Sequence, residues 1–234
     1  VNFGGSSLAS PYVILGFAYS SVSFSKDNEI VVVCSAVEGV TDDLILISKM
    51  IEQRKKDATA KALDELIKKH RKLADQTIKN STIKKQLLEK LSTDVSELQE
   101  LVRGLTLLKE VSARSLDYLV SFGERLSDDL VSFALQDLKK KSTALNGKEV
   151  GIVTDSNFGE SRPLMDTTRI RISKTLGSLL SKKVIPVVGG FAGADQHGNI
   201  TTFGRGGSDF TATIIASCIN ADEVWLSLIH ISEP

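Results

Sequence analysis

Residues 203–210 read "FGRGGSDF", which puts a guanidinium, two adjacent glycines, a hydroxyl and a carboxylate inside six residues. Arg205 offers a planar fork suited to carboxylate or phosphate oxygens. Gly206 and Gly207 let the backbone approach a ligand closely, because no Cβ stands in the way. Ser208 or Asp209 could cap a helix starting here, but capping leaves Arg205 and the glycine pair without work. A second glycine pair opens the chain in "NFGGSS" (2–7). The backbone N–H groups of Gly4 and Gly5, with the Ser6 hydroxyl, could cradle a phosphate at a helix N-terminus. A glycine pair alone also makes an ordinary turn.

Two further stretches carry polar groups at element boundaries. "CSAVEGVT" (34–41) places Ser35 after an apolar run and Thr41 at a helix start. "SFGERLSDDL" (121–130) sets Glu124 and Arg125 beside a glycine, between apolar residues at helical spacing. Taken alone, that pair reads as a solvated ion pair. The histidines, His70, His197 and His230, are too scattered to form a ligand cluster. Cys34 and Cys218 sit among small or aliphatic neighbours and read as buried thiols.

These groups need a scaffold, and the hydrophobic pattern supplies one. "EIVVVCSA" (29–36), "VGIVTD" (150–155), "KVIPVVGGF" (183–191) and "DEVWLSL" (222–228) read as strands, the first buried on both faces. "TDDLILISKMIEQRKK" (41–56) reads as a helix with Thr41 as N-cap and acidic residues in its first turn. The alternation predicts an α/β domain with a largely parallel sheet. Residues 57–111 interrupt it with two amphipathic stripes, which predict an antiparallel helix pair joined near "KNST" (79–82), with His70 packed in its core. "DQHGN" (195–199) suits a hairpin turn. Pro11 suits a first helical turn, although the helix expected at 10–24 has an almost uncharged polar face.

The 234 residues can bury a sizeable core, and one domain is expected. A formal net charge of zero supplies no global field for nucleic acid or an anionic membrane. No segment approaches the roughly 20 apolar residues of a membrane span, and "YVILGFAY" (12–19) has no basic region before it. A cytoplasmic compartment and a chain that is part of a longer protein are the expectations.

Together, "FGGSS", "VVVCSAVEGVTDDL", "SFGERLS", "VTDSNFG" and "IPVVGGFAGADQHGNITTFGRGGSDFTATIIA" resemble the aspartate kinases of the amino-acid kinase superfamily, in family order from about Phe3 to Trp225. The resemblance implies a three-layer α/β/α amino-acid-kinase-like fold with a mainly parallel sheet and a helical insertion, truncated at the C-terminus. It implies transfer of the ATP γ-phosphoryl group to the β-carboxylate of L-aspartate, with Mg²⁺ carried by the nucleotide. It also implies homo-oligomeric association of the full-length protein. Arg205 would clamp an aspartate carboxylate and Glu124 would hold the α-ammonium, with Ser35, Thr41 and Ser208 lining the same pocket. Phe3, Gly4, Gly5, Ser6, Gly206 and Gly207 would approach the phosphates. Asp209 would organise the catalytic centre by orienting a lysine of the first glycine motif.

This chain departs from that pattern twice. The lysine that opens the family's first motif is replaced by Asn2, which predicts impaired phosphoryl transfer. The last nine residues, "LSLIHISEP" (226–234), do not resemble the family and read as a cloning or frame-shift scar after a catalytic domain spanning 1–225. A glutamate-type amino-acid kinase and a non-catalytic aspartate-binding homologue are the alternative readings.

Overall fold

A computed structural model of the chain describes residues 1–3, 8–204 and 206–227. Gly4, Gly5, Ser6, Arg205 and the tail 228–234 lie outside the described residues. The chain opens with β1 (Asn2–Phe3) and α1 (Pro11–Phe24), where Ser10 caps the helix and Pro11 takes its first position. β2 (Val32–Cys34) and α2 (Val40–Glu52) follow, then α3 (Lys56–Thr77), α4 (Ser81–Leu108) and α5 (Ala113–Asp137). The second half runs β3 (Ser142–Leu145), α6 (Gly147–Val150), β4 (Val153–Thr154), α7 (Met165–Leu180) and β5 (Ile185–Gly189). It continues through β6 (Ala192–Asp195), β7 (Ile200–Thr202), α8 (Gly207–Ile219) and β8 (Leu226–Ser227). Among the described residues no helix is long and apolar enough to cross a membrane.

Five strands form an all-parallel sheet in the order β3-β5-β2-β1-β8. The two-residue period of a strand sends its side chains to opposite faces. Val32 and Cys34 of β2, with Ile185 and Val187 of β5, join a core made with α1 to α5. Val31, Val33 and Val188 point the other way, into a second core with α7 and α8. Helices therefore cover both faces, which is why β2 reads as a continuous apolar run.

The helical insertion is as expected. Asn80 caps α4 by accepting from the Thr82 and Ile83 amides, and Asp137 of α5 accepts from the Lys79 and Asn80 amides at the same bend. His70 is buried, with Nδ1 2.9 Å from the Leu66 carbonyl oxygen. Burial lowers its pKa to about 4 and keeps the ring neutral. Leu63 and Leu66 of α3 and Leu91 and Leu98 of α4 belong to the same core as Leu119, Phe122 and Leu126 of α5.

Three expectations are corrected. The segment 150–155 does not enter the parallel sheet. An Asn146–Glu149 capping box starts α6, Gly151 at φ +105° ends it, and the redirected chain gives β4. β4 pairs with β6 in a separate three-stranded sheet completed by β7, whose turn from β6 uses Gly198 at φ +83°. Thr41 is not the N-cap of α2: Gly39 takes that place at φ +78°, leaving Thr41 inside the first turn. Likewise Gly206, at φ +75°, caps α8 without any side chain, so Ser208 and Asp209 are released for contacts elsewhere.

Leu98 is fully buried in the core that joins the insertion to α5. Leu98→Ala should lower the unfolding free energy by about 2–5 kcal/mol in urea titration. Glu100→Ala, on the exposed side of the same helix, should stay within about 0.5 kcal/mol of the parent.

Candidate functional site

In open α/β sheets ligands bind where strands end and helices begin, and here the ends of β1, β2 and β5 meet the start of α8. Beyond Cys34, the Ser35 carbonyl accepts from Ser127 Oγ at 2.7 Å and the Ala36 amide donates to Glu124 Oε1 at 3.3 Å. Both partners come from α5, which approaches closely because residue 123 is glycine. A Cβ there would stand 2.9 Å from the Ala36 Cβ. Glu124 is 5% exposed and its second oxygen, Oε2, has no hydrogen-bond partner. Burial pushes its carboxyl up to about 8, against the backbone hydrogen bonds it accepts.

The plain reading of Glu124 and Arg125 as a solvated pair is therefore wrong. Neighbours on a helix point about 100° apart, so Arg125 faces α4, where its guanidinium binds Asp94 and Glu97. Burial works against the charge, but these two carboxylates outweigh it and hold the guanidinium protonated.

The β5 exit completes the junction. The Gly190 amide donates to the Cys34 carbonyl at 2.8 Å. A Cβ on Gly190 would lie 2.6 Å from that of Ser208, so the first turn of α8 rests directly on this backbone. Phe191 follows at φ +68°, a left-handed conformation that costs of order 1–3 kcal/mol outside glycine. It is held by donation from its amide to Thr211 Oγ1 at 3.1 Å and by the Phe203 amide on its carbonyl. Gly207 packs against Phe191, and Asp209 accepts a hydrogen bond from Asn2 Nδ2. Asn2 is 1% exposed, and its Oδ1 has no partner.

The structure thus brings Ser35, Glu124, Gly207, Ser208 and Asp209 together around one sheet edge, with Gly206 capping α8 beside them. Thr41 sits half-buried in the first turn of α2, and no hydrogen bond ties it to Ser35 or Glu124. Phe3 ends β1 at the same edge through its backbone. A cavity of about 30 Å³ lies among Glu124, Asp128, Gly189 and Gly190, enough for one water-sized group. Among the described residues no group of three or more His, Cys, Asp or Glu side chains is arranged to hold a metal ion.

Sequence reasoning missed Asp117. From α5 its carboxylate accepts from the Gly159 amide, the Thr202 amide and Thr202 Oγ1, at 2.8–2.9 Å. Ser161 donates through its amide and its hydroxyl to the Thr202 carbonyl. Thr202 is thereby gripped on both sides just before "FGRGG". An aspartate among the apolar positions Leu116, Leu119 and Val120 of a helix was the available signal.

Helices cover both faces of the parallel sheet, and glycines line the edge where its strands end. The chain belongs to the amino acid kinase family, whose model matches residues 1–227. It is 32% identical over 227 residues to Aspartokinase 3, chloroplastic, of Arabidopsis thaliana, covering 96% of this chain and 39% of that protein. The crystal structure of E. coli aspartokinase III with lysine and aspartate superposes with a TM-score of 0.83 at 24% identity, over 94% of this chain and 46% of that one. The same enzyme with aspartate and ADP gives a TM-score of 0.74 at 23% identity, with the same coverage. The chain spans about two fifths of the length of the curated relative.

Asp117→Asn replaces one acceptor oxygen with an NH2 group that cannot accept. It should destabilise the chain by about 1–3 kcal/mol and speed amide exchange at Gly159 and Thr202. Unchanged exchange at both would show that Asp117 does not hold these segments.

Proposed function

We propose that this chain is the catalytic part of an aspartate kinase, transferring the γ-phosphoryl group of ATP to the β-carboxylate of L-aspartate to give 4-phospho-L-aspartate. The observation that carries the reading is Glu124, a buried carboxylate with an unpartnered oxygen at the edge shared by Ser35, Gly190 and Ser208. Leaving it desolvated and unpaired is costly, and an α-ammonium is the group that relieves that cost. The relatives' names and the aspartate and ADP bound by the E. coli enzyme point to the same substrates.

In this reading Arg205 clamps a carboxylate of aspartate, with Ser35, Thr41 and Ser208 lining the pocket. The backbone of Phe3, Gly4, Gly5, Gly206 and Gly207, with Ser6, approaches the phosphates. An oxygen of the β-carboxylate attacks the γ-phosphorus, the bond from that phosphorus to the β,γ-bridging oxygen breaks, and ADP leaves with the electron pair. The attacking carboxylate is already ionised at neutral pH, so no general base is needed and catalysis is positioning plus charge stabilisation. Mg²⁺ enters with ATP, held chiefly by its phosphates. Asp209 orders the centre through residue 2, where the hydrogen bond from Asn2 supplies a neutral amide in place of a cation. Residues 1–225 form the catalytic domain, with 57–111 as its insertion. The unpaired buried thiols Cys34 and Cys218 fit a reducing, cytoplasmic setting.

Initial rates of ADP release with L-aspartate and with L-glutamate test the substrate, and a preference for glutamate would overturn the reading. Arg205→Ala should raise the aspartate KM strongly, since loss of one charged partner is typically worth ~2–5 kcal/mol. Asn2→Lys, made in the full-length protein, should raise kcat by about 10²–10³-fold. Aspartate binding in calorimetry with no ADP release, even from Asn2→Lys, would identify a non-catalytic binder instead.

A further inference from the structure

A cleft of about 810 Å³ lies between the α4–α5 pair and the segment from β3 to α6, beside the turn before β7. That volume lies within the range of small-molecule sites, roughly 300–1,000 Å³. Leu101, Tyr118, Leu145 and Ile200 contribute apolar surface to its lining. Ionic groups of α4 and α5 line it as well. Lys90 Nζ lies 2.8 Å from Asp94 and 3.7 Å from Asp129, and Arg125 binds Asp94 and Glu97. Two cations thus serve three carboxylates before Asp128 is counted.

Among the described residues Asp128 has no cation. It is 2% exposed, it lines both this cleft and the small cavity beside Glu124, and its Oδ1 has no hydrogen-bond partner. Its other oxygen lies over Gly189, where a Cβ would collide with it. Asp129 Oδ2 also lacks a hydrogen bond. Burial pushes both carboxyls up, Asp129 to about 7, with neighbouring carboxylates adding to the shift of Asp128. Buried carboxylates in this condition are stabilised by a positive partner.

We propose that this cleft is a ligand site for a small primary ammonium compound. Its nitrogen sits on Asp128, with Asp129 lining the same cleft beside it, and its aliphatic body lies against Leu101, Leu145 and Ile200. A bare metal ion fits less well: no group of three or more metal-ligating side chains is arranged for one among the described residues, and an ion would leave the apolar surface unused. Arg114 and Lys148, exposed cations that also line the cleft, favour a single ammonium over a diamine. This site does not depend on the kinase reading, because neither aspartate nor nucleotide enters the argument.

The test is calorimetry and amide NMR on this chain with n-butylammonium chloride, against 1-butanol as the neutral counterpart and sodium chloride at equal ionic strength. Saturable binding of butylammonium is expected, with shifts at Leu101, Leu145 and Ile200, and none from sodium chloride. Asp128→Asn and Asp129→Asn should each weaken it about tenfold or more, and 1-butanol should bind weaker by a similar factor. Asp128→Asn removes an unpaired buried carboxyl without changing its shape, so its thermal midpoint should not fall. Should either variant fail to fold, the other variant and the butanol comparison still decide. No saturable binding at millimolar butylammonium, equal affinity in a folded Asn variant, or equal affinity for 1-butanol would each overturn the proposal.

Discussion

A carboxylate cannot be buried without either a partner or a large desolvation cost, and Glu124 is placed where it has half of one. One oxygen takes the Ala36 amide at the exit of β2, and the other is left open. The rest of the edge is organised around that placement. Gly123 lets α5 approach the strand exit, Ser127 fastens the same exit through the Ser35 carbonyl, and Gly190 lets the first turn of α8 lie against β5. A side chain at either glycine would push apart the elements that bring Glu124, Ser35 and Ser208 together.

α5 is the spine of this arrangement. Asp117 holds the segments at Gly159 and Thr202, Glu124 faces the sheet edge two turns later, and Asp128 lies one turn beyond, over Gly189. The flanking face carries Arg125 and Asp129, which knit the helix to Asp94, Glu97 and Lys90 of α4. The α3–α4 pair is thus joined to α5 by charge as well as by the leucine core. The same helix that presents an open carboxylate to the sheet edge lines the neighbouring cleft with ionic groups.

Much of the frame was legible before the structure. The β-branched run at 29–36 could be buried on both faces only between two helical layers, and the leucine stripes of 57–111 pointed to a helix pair, to which the structure adds α5 as a third member. The turn at 195–199 and the packed His70 followed from local chemistry. The helix starts were misread for one physical reason: Gly39 and Gly206 reach left-handed backbone angles and cap without a side chain, so the nearby hydroxyls and carboxylate that looked like caps were free for other contacts. The capping box at Asn146 was equally local, yet it diverted a segment whose apolar content read as a sheet strand.

Residue order by itself determined the periodicities, the glycine pairs and the family, because those depend on neighbours within a few turns or on matching words in matching order. Only the tertiary structure decided which way adjacent side chains face and what they meet. Glu124 and Arg125 are consecutive in the chain, yet one is buried against the exit of β2 and the other is paired with carboxylates of α4. Burial and partner depend on elements far away in sequence, and so does the charge each carboxylate can hold.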